Sequence, residues 1–290
     1  MFRDALLLIA LLWSVMIPAI AQSTDEALDE CPDPLRIVTW NIENFTVSRG
    51  EEEATLATLV AVWERINADV LALQEIGSEN AIQLLLEAVA AQTDRHYEFA
   101  LNRRGTQRVG FAWDSDRVEP LDDPEELRDV ALNNLRPAFV QAFTFSDYDF
   151  TLVTLHLKAT QTAGSQKIRV AQSILLAQWL AERPEDADQD VIFLGDFNDY
   201  YDAENLDPLA QMVYFTADIL PEDTISYIGD DFESLIDHVA LTDGVRDEFC
   251  SLQVFDPADI ALSEDEFEAL ASDHLPVIAV FSTTNANDSE

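Results

Sequence analysis

Short apolar runs alternate with helical patterns along most of the chain. Three segments, 53–67, 80–92 and 165–182, repeat apolar residues at three- and four-residue spacing and predict amphipathic helices, the last with Ser165 as its N-cap. Hairpin-like neighbours and crossover helices together predict an α/β fold with mixed sheets. The predicted strands are ten runs rich in aliphatic and aromatic residues: 36–42, 69–75, 96–101, 108–114, 138–145, 149–157, 190–195, 235–241, 248–254 and 275–281.

The first residues have the pattern of an export signal. Residues 5–20 are almost wholly apolar, Arg3 precedes them, and Ala19-Ile20-Ala21 provides small residues at a cleavage position. This order predicts a signal peptide over residues 1–21. A membrane anchor is the alternative, but the run is short for a span and contains Pro18. We expect a secreted or periplasmic monomer without stable membrane association after cleavage.

The rest of the sequence suits one large domain, residues 36–281. An acidic leader, 22–35, precedes it and a polar tail, 282–290, follows; both contain few apolar residues, so we expect disorder there. Cys31 and Cys250 are the only cysteines. In an exported protein they are expected to form a disulfide, with two separate thiols as the alternative.

The net charge of the chain is −40, from 56 acidic and 16 basic residues. Such a surface repels polyanions and gives no general electrostatic footprint for nucleic acid. The few bases are nevertheless clustered: both lysines, Lys158 among them, follow His156 closely, and Arg103, Arg104 and Arg108 form the densest arginine group. We interpret the bulk charge as adaptation to a salty habitat and the clustered bases as contacts to phosphate.

Carboxylates at the ends of apolar runs predict a metal site. Hydrolysis of a phosphodiester needs a cation on the phosphoryl oxygens and an activated water, and Mg²⁺ prefers carboxylate oxygens. Glu75 follows the buried run 70–74, and Asn41 and Glu43 are two apart, which would place both on one face of an extended strand end. We expect Glu75 and Glu43 to support the ion and Asn41 to contact phosphate. A loop that could bind structural Ca²⁺, or be simply solvated, contains Asp199, Asp202, Glu204 and Asp207.

His274 is the candidate general base. An imidazole in this role needs a carboxylate on its other nitrogen, which fixes the tautomer and raises basicity. Asp237, at the end of a short apolar run, is the candidate partner. The adjacent His238 points to the opposite strand face, where we expect a structural role. Asp273 directly precedes His274.

Two further pairs follow apolar runs. His156 and Lys158 are two apart and would face the same phosphate, although a buried structural histidine is the alternative for His156. Asp196 and Asn198 repeat this spacing, and Gly195 lets the chain turn sharply as it leaves the strand. We expect Asp196 to orient or deprotonate water and Asn198 to hold a phosphate oxygen.

Six motifs occur in order along the chain: WNIEN, ALQEI, LHLKA, GDFND, IDHV and SDHLPV. Together they resemble the endonuclease/exonuclease/phosphatase superfamily, which includes pancreatic-type deoxyribonucleases, abasic-site endonucleases, inositol-polyphosphate phosphatases and bacterial sphingomyelinases. The resemblance spans 36–281 and implies a four-layer α/β/β/α sandwich of two mixed, mostly antiparallel sheets flanked by helices. It also implies Mg²⁺, or Mn²⁺, bound through Glu75 with Asn41, Glu43 and Asp273 nearby.

The resemblance also implies roles for the other site residues. His274 and Asp237 would form the general-base pair, and Asp196 and Asn198 would position water and phosphate. His156 would stabilise the transition state or the leaving oxygen.

One position departs from the family pattern. Pancreatic-type deoxyribonucleases have a glutamate in the loop before the strand FAWDS, paired with the histidine that corresponds to His156, and Gln107 occupies that place here. A neutral amide would not raise the pKa of His156 as a carboxylate does. We therefore expect His156 to donate a hydrogen bond to phosphate rather than to shuttle a proton.

The fold does not determine the substrate. We favour a secreted nuclease that cuts DNA, or RNA, because of the predicted export and the arginine loop 103–108. A phosphatase or a sphingomyelinase-like phospholipase C is the alternative, although a lipid enzyme would need an exposed aromatic hairpin and Tyr200-Tyr201 is the nearest such feature. A non-catalytic binding module is the third hypothesis, which the full set of competent residues disfavours.

Overall fold

The computed structural model describes residues 31–184, 187–229 and 233–284. The predicted signal peptide and most of the predicted leader and tail lie outside these residues. Thirteen strands are found in the described residues: β1 (Pro34–Phe45), β2 (Val70–Ile76), β3 (Tyr97–Leu101), β4 (Arg108–Asp114), β5 (Val118–Pro120), β6 (Glu125–Leu127), β7 (Ala138–Phe145), β8 (Tyr148–His156), β9 (Val191–Asp196), β10 (Tyr214–Phe215), β11 (Asp237–Leu241), β12 (Phe249–Val254) and β13 (Val277–Ser282).

The α-helices of the described chain are α1 (Val47–Gly50), α2 (Glu53–Ile66), α3 (Glu79–Gln92), α4 (Ala163–Ala181), α5 (Asp207–Ala210) and α6 (Glu264–Leu270). Single turns of 3₁₀ helix occur at Arg128–Val130, Leu132–Asn134, Thr216–Ile219, Asp243–Val245 and Pro257–Ile260.

The strands form two sheets. The six-stranded sheet has the order β12-β13-β1-β2-β4-β3, and the seven-stranded sheet has the order β10-β11-β9-β8-β7-β5, with β6 also paired to β7. The β1–β2 and β8–β9 pairs are parallel, and the other pairs in the described residues are antiparallel. The prediction of two mixed, mostly antiparallel sheets is therefore confirmed.

Three apolar layers hold the four structural layers together. Trp40 and Trp63 belong to the layer between the six-stranded sheet and helices α2, α3 and α6. Phe111 and Phe143 pack between the two sheets, and Phe193 lies in the layer between the seven-stranded sheet and α4. Because the central strands are covered on both faces, their sequences are nearly continuous apolar runs.

Some boundaries differ from the predictions. The N-cap of α4 is Thr162, whose hydroxyl accepts the backbone N–H of Ser165, so the prediction of Ser165 as the cap was wrong. Both residue types are good caps, and the sequence alone does not fix which turn comes first. The short strands β5, β6 and β10 and helix α6 were not predicted, because so few residues show no periodicity.

The two ends of the domain are tied to each other and to the six-stranded sheet. Pro34 pairs with Ser282, so β1 begins inside the predicted leader and β13 ends inside the predicted tail. Cys31 and Cys250 form a disulfide with Cα atoms 6.0 Å apart, which confirms the predicted pairing. Within the described residues, no helix combines the length and apolar character needed to cross a bilayer.

Candidate active site

The polar residues of the motifs meet at one edge of the two sheets. Because β1 and β2 are parallel, their carboxyl ends, with Asn41 and Glu75, lie at the same edge. The parallel pair β8–β9 sets His156 opposite Asp196 in the other sheet. Strand β11 begins at this edge, where Asp237 pairs with Asp196. Strand β13, antiparallel to β1, also begins here, and the segment before it closes the site.

His274 forms a buried pair with Asp237. The Nδ1 atom of His274 lies 2.8 Å from Oδ2 of Asp237, which also accepts the hydroxyl of Ser226 at 2.8 Å. Burial disfavours the imidazolium, but the Asp237 carboxylate and neighbouring aspartates outweigh it and raise the pKa of His274 to about 10. The pair fixes the Nδ1–H tautomer and directs Nε2 into the site.

The segment that contains His274 is fixed by bonds from several directions. Its carbonyl accepts from Nε1 of Trp40 at 2.9 Å, and its N–H donates to Oγ of Ser272 at 3.0 Å. The Ser272 hydroxyl donates to the carbonyl of Asn41 at 2.6 Å. The ring of Tyr227 packs edge-on against the imidazole, with centroids 5.0 Å apart. These contacts set the position of the imidazole without a ligand.

Asp196 lies between the two histidines. Its Oδ2 atom accepts from Nδ2 of Asn41 at 3.2 Å and lies 3.2 Å from Nε2 of His156 and 3.8 Å from Nε2 of His274. Burial raises the pKa of Asp196 to about 7, and the charge of His274 offsets part of this effect.

His156 is buried and neutral. Burial, followed by the positive charge of Arg136, holds the pKa of His156 well below its usual value, and Lys158 adds to the effect. Its Nε2 faces Asp196, whereas its Nδ1 is buried without a hydrogen-bond partner, 3.9 Å from Oε1 of Glu75. The lowered pKa of His156 agrees with the expectation from Gln107, and hydrogen bonding of His156 to phosphate stays a prediction.

Asp273, beside His274, lies within the electrostatic influence of two further carboxylates, Glu43 and Glu75. Burial and the nearby Glu43 and Glu75 carboxylates raise the pKa of Asp273 to about 6. Oδ1 of Asp273 is buried without a hydrogen-bond partner. Oε2 of Glu75 accepts the backbone N–H of Asn44 at 2.8 Å. Grouped oxygen donors, one of them unsatisfied, fit a hard divalent cation such as Mg²⁺.

One group of potential metal ligands includes the His274–Asp237 pair. In the described part of the chain, donor atoms of Asp196, Asp237 and His274 lie within 4.8 Å of one another. Within this group, Asp237 and His274 already share a hydrogen bond of 2.8 Å. We therefore interpret this group as a proton-transfer cluster and the carboxylates of Glu43, Glu75 and Asp273 as the metal side.

The prediction that Asn41 and Glu43 share one face of an extended strand was wrong. The register of β1 against β2 shifts between Asn41 and Phe45, and φ is +20° at Glu43 and +47° at Asn44. The N–H of Glu43 donates to Oδ1 of Asn41 at 3.1 Å within this bulge. Glu75 also has a left-handed backbone, with φ of +61°. Irregular backbone, rather than strand periodicity, directs these carboxylates.

The same one-face prediction was wrong for Asp196 and Asn198. Asn198 has φ of +55°, and its N–H donates to Oδ1 of Asp196 at 2.9 Å, which closes a turn. Its side-chain amide donates to the carbonyl of Leu157 at 3.2 Å. Gly195 lies within β9 rather than at its exit; its φ of +144° favours glycine, and a Cβ there would clash with the carbonyl of Leu155 on β8.

The basic residues are only partly brought together. Arg103 and Arg104 are exposed and line an open groove, whereas Arg108 pairs with Glu79 at 3.3 Å and is not among the lining residues. The ammonium of Lys158 donates to a neighbouring backbone carbonyl, although the residue is close enough to affect His156. Arg103 and Arg104 therefore lie in one groove and Arg108 is not part of its lining, whereas their contact with phosphate stays a prediction.

Arg136 is a site residue that the sequence patterns missed. Its Nε donates to the carbonyl of His156 at 3.2 Å, and burial lowers its pKa against the attraction of Asp196 and Glu75. Gln107 accepts from Arg136 at 3.3 Å and donates to Oδ1 of Asn44 at 2.9 Å. The available signal was an arginine directly before a proline and a predicted strand.

Ser226 and Ser272 were also missed, because single serines in loops carry no recognisable spacing.

Two other sequence predictions concern His238 and Asp199. His238 is buried, with Nε2 2.9 Å from the carbonyl of Asp199, which confirms its structural role. The Asp199 carboxylate pairs with the buried Arg169 at 2.9 Å, so it supports the fold rather than a Ca²⁺ site.

Comparison with known proteins gives the class. Residues 38–274 match the Endonuclease/Exonuclease/phosphatase family, and the chain belongs to this family. A comparison with curated proteins gives no match. Members of the family are metal-dependent phosphoric ester hydrolases.

Solved structures show the same fold at low identity. D. rerio TDP2, complexed with single-strand DNA product, is similar with a TM-score of 0.68 and 19% identity over 87% of this chain and 100% of that chain. The human Nocturnin catalytic domain with bound sulfate has a TM-score of 0.63 and 19% identity, covering 87% and 95%. A Bacteroides thetaiotaomicron mannosyl-6-phosphatase has a TM-score of 0.61 and 15% identity, covering 84% and 98%.

Proposed function

We propose that the protein is a secreted or periplasmic nuclease that hydrolyses DNA, or RNA, with a divalent cation. The observation that carries the proposal is geometric: Asp196 lies between His156, which Arg136 supports, and the buried His274–Asp237 pair. A phosphodiester presents one negative charge to these groups, whereas a phosphomonoester presents up to two. The site contains few cationic side chains and many buried acidic ones, so it favours the singly charged diester over the more highly charged monoester.

The residues divide the chemistry between them. In its deprotonated form, Nε2 of His274 takes a proton from the attacking water, while Asp237 holds the Nδ1–H and stabilises the imidazolium that forms. Asp196 accepts from Asn41 and orients the water. Neutral His156 donates its single ring N–H, from the Nδ1 that has no protein partner, to one phosphoryl oxygen, and Arg136 donates to another.

The metal side would be formed by Glu43, Glu75 and Asp273, with Asn41 nearby. Mg²⁺, or Mn²⁺, bound there would neutralise the phosphoryl oxygens and weaken the field that holds a proton on His274.

Cleavage of matched substrates tests the proposal. The mature chain, residues 22–290, should nick supercoiled plasmid in Mg²⁺ and lose activity in a chelator, and it should prefer bis(p-nitrophenyl) phosphate to p-nitrophenyl phosphate. The reverse preference, with no nicking by folded protein, would contradict a nuclease. The export proposal is tested separately, since the exported full-length product should begin at Gln22.

A phosphatase or a sphingomyelinase-like phospholipase C is the second candidate. It is favoured by the mannosyl-6-phosphatase among the structural neighbours. Release of phosphate or phosphocholine, combined with flotation on liposomes for the lipid enzyme, would identify it. A folded protein without any hydrolysis would instead support a binding module.

A further inference from the structure

An open groove of about 670 Å³ lies beside the active site. Loop 102–107 forms one part of its lining and segment 134–137 another, and Glu126 also contributes. Four arginines lie in the lining: Arg103, Arg104, Arg128 and Arg136.

The charge of this arginine groove is opposite to that of the whole molecule. Four of the 16 basic residues line it against a single carboxylate, Glu126, whereas the whole chain carries 56 acids. Glu126 is already engaged, because it accepts the N–H of Arg103 at 2.6 Å and pairs with Arg128 at 3.0 Å. A positive concavity in a chain that repels polyanions elsewhere indicates an anionic ligand.

The groove is continuous with the catalytic residues. Gln107 and Arg136 belong to its lining, and Arg136 donates to the carbonyl of His156. Gln107 donates to Asn44, whose N–H binds the Glu75 carboxylate. The groove is therefore contiguous with the residues that are proposed to contact the cleaved phosphate.

We propose that the arginine groove binds a second phosphate group of the substrate, next to the one that is cleaved. The proposal rests on the proposed phosphodiesterase function and narrows its substrate class. Arg103, Arg104 and Arg128 are exposed, and guanidinium groups match the oxygens of phosphate in a bidentate geometry. A nucleic acid strand supplies such neighbouring phosphates, and so does a polyphosphorylated small molecule.

Matched long and short substrates test the groove. The kcat/KM should be measured in Mg²⁺ for a thymidine dodecanucleotide, its RNA counterpart and bis(p-nitrophenyl) phosphate, with inositol hexakisphosphate as the small polyphosphate. The variant is Arg103→Ala/Arg104→Ala/Arg128→Ala, and the control is Arg246→Ala, an exposed arginine outside the groove lining. The strand-to-short-ester ratio of kcat/KM should fall about tenfold in the triple variant, with a log–log salt slope shallower by about 2.

Equal losses on the long and short substrates, or an unchanged ratio, would overturn the groove assignment. Preference for inositol hexakisphosphate over both strands would assign the second phosphate to a small molecule. Fluorescence anisotropy of a labelled dodecanucleotide on His274→Ala gives a readout that does not need turnover. Absence of strand hydrolysis by the wild type, with arginine-dependent binding retained, contradicts only the nuclease proposal, and strand binding that is unchanged by the triple substitution contradicts the groove assignment.

Discussion

The two sides of the active site differ in how far the protein alone determines them. On the base side, His274 is held by Asp237, Ser272 and Trp40, and Asp237 is held by Ser226. On both sides one carboxylate oxygen, Oδ1 of Asp237 and Oδ1 of Asp273, is buried without a hydrogen-bond partner. The base side is nevertheless held by hydrogen bonds within the protein, whereas on the metal side the Glu43 and Glu75 carboxylates raise the pKa of Asp273.

The backbone shows the same contrast. Asp196 and Asp237 lie in regular strands that pair with each other. Glu43 and Glu75 lie in irregular segments with positive φ. Such conformations persist where surrounding structure holds them and are common at functional sites. The comparison indicates that the base side is preorganised and that a cation completes the metal side.

The largest effect is expected on the base side. His274→Ala should lower kcat by about 10³-fold because the general base is lost. Added Mg²⁺ should not restore activity, and His96→Ala, an exposed histidine paired with Asp116, is the control. Near-normal turnover of His274→Ala would contradict the assignment of the base.

A substitution on the metal side should behave differently. Glu75→Gln keeps the shape of the side chain but removes a charge, so the Mg²⁺ concentration for half-activity should rise roughly 10- to 100-fold, with activity returning at high Mg²⁺. Titration of cleavage rate against Mg²⁺ measures this. An unchanged titration would show that Glu75 is not a ligand.

A smaller effect is expected when the hydrogen bond that supports the His274–Asp237 pair is removed. Ser226→Ala removes a hydrogen bond to the buried Asp237 carboxylate and should lower kcat about tenfold. The Mg²⁺ requirement should stay unchanged, because Ser226 contacts only the base side among the assigned groups. A shifted Mg²⁺ titration with normal kcat would contradict the division of the site into a base side and a metal side.

A further effect concerns stability rather than turnover. The pKa of His274 rises from 6.5 to about 10 on folding, so its pair contributes stability that is fully present below pH 6.5 and is lost as pH rises through 10. In a chelator, the Tm difference between wild type and His274→Gln should shrink over this range. A difference that grows with pH would contradict the raised pKa.

The sequence predicted the main strands and the edge at which they meet. Apolar runs ending in Asn41, Glu75, His156 and Asp196 identify buried strands with polar ends, and strand ends are where sites form in α/β folds. The pairing of His274 with Asp237 was predicted because an imidazole that acts as a general base needs a carboxylate on its other nitrogen.

The remaining features depend on tertiary contacts that have no local pattern. Two-residue spacing predicted a shared face for Asn41 and Glu43, but a bulge against β2 decides their directions. Arg136 and Arg128 reach the groove from segments distant in sequence from loop 102–107. Ser226 meets Asp237 only because β11 begins beside its loop.

Nicking of supercoiled plasmid across a Mg²⁺ titration, by wild type, His274→Ala and Glu75→Gln, tests the contrast most directly. We predict metal-dependent nicking by the wild type, recovery of Glu75→Gln at high Mg²⁺, and no recovery of His274→Ala at any concentration. Recovery of His274→Ala by metal, or permanent loss in a folded Glu75→Gln, would contradict a preorganised base beside a cation-completed carboxylate site.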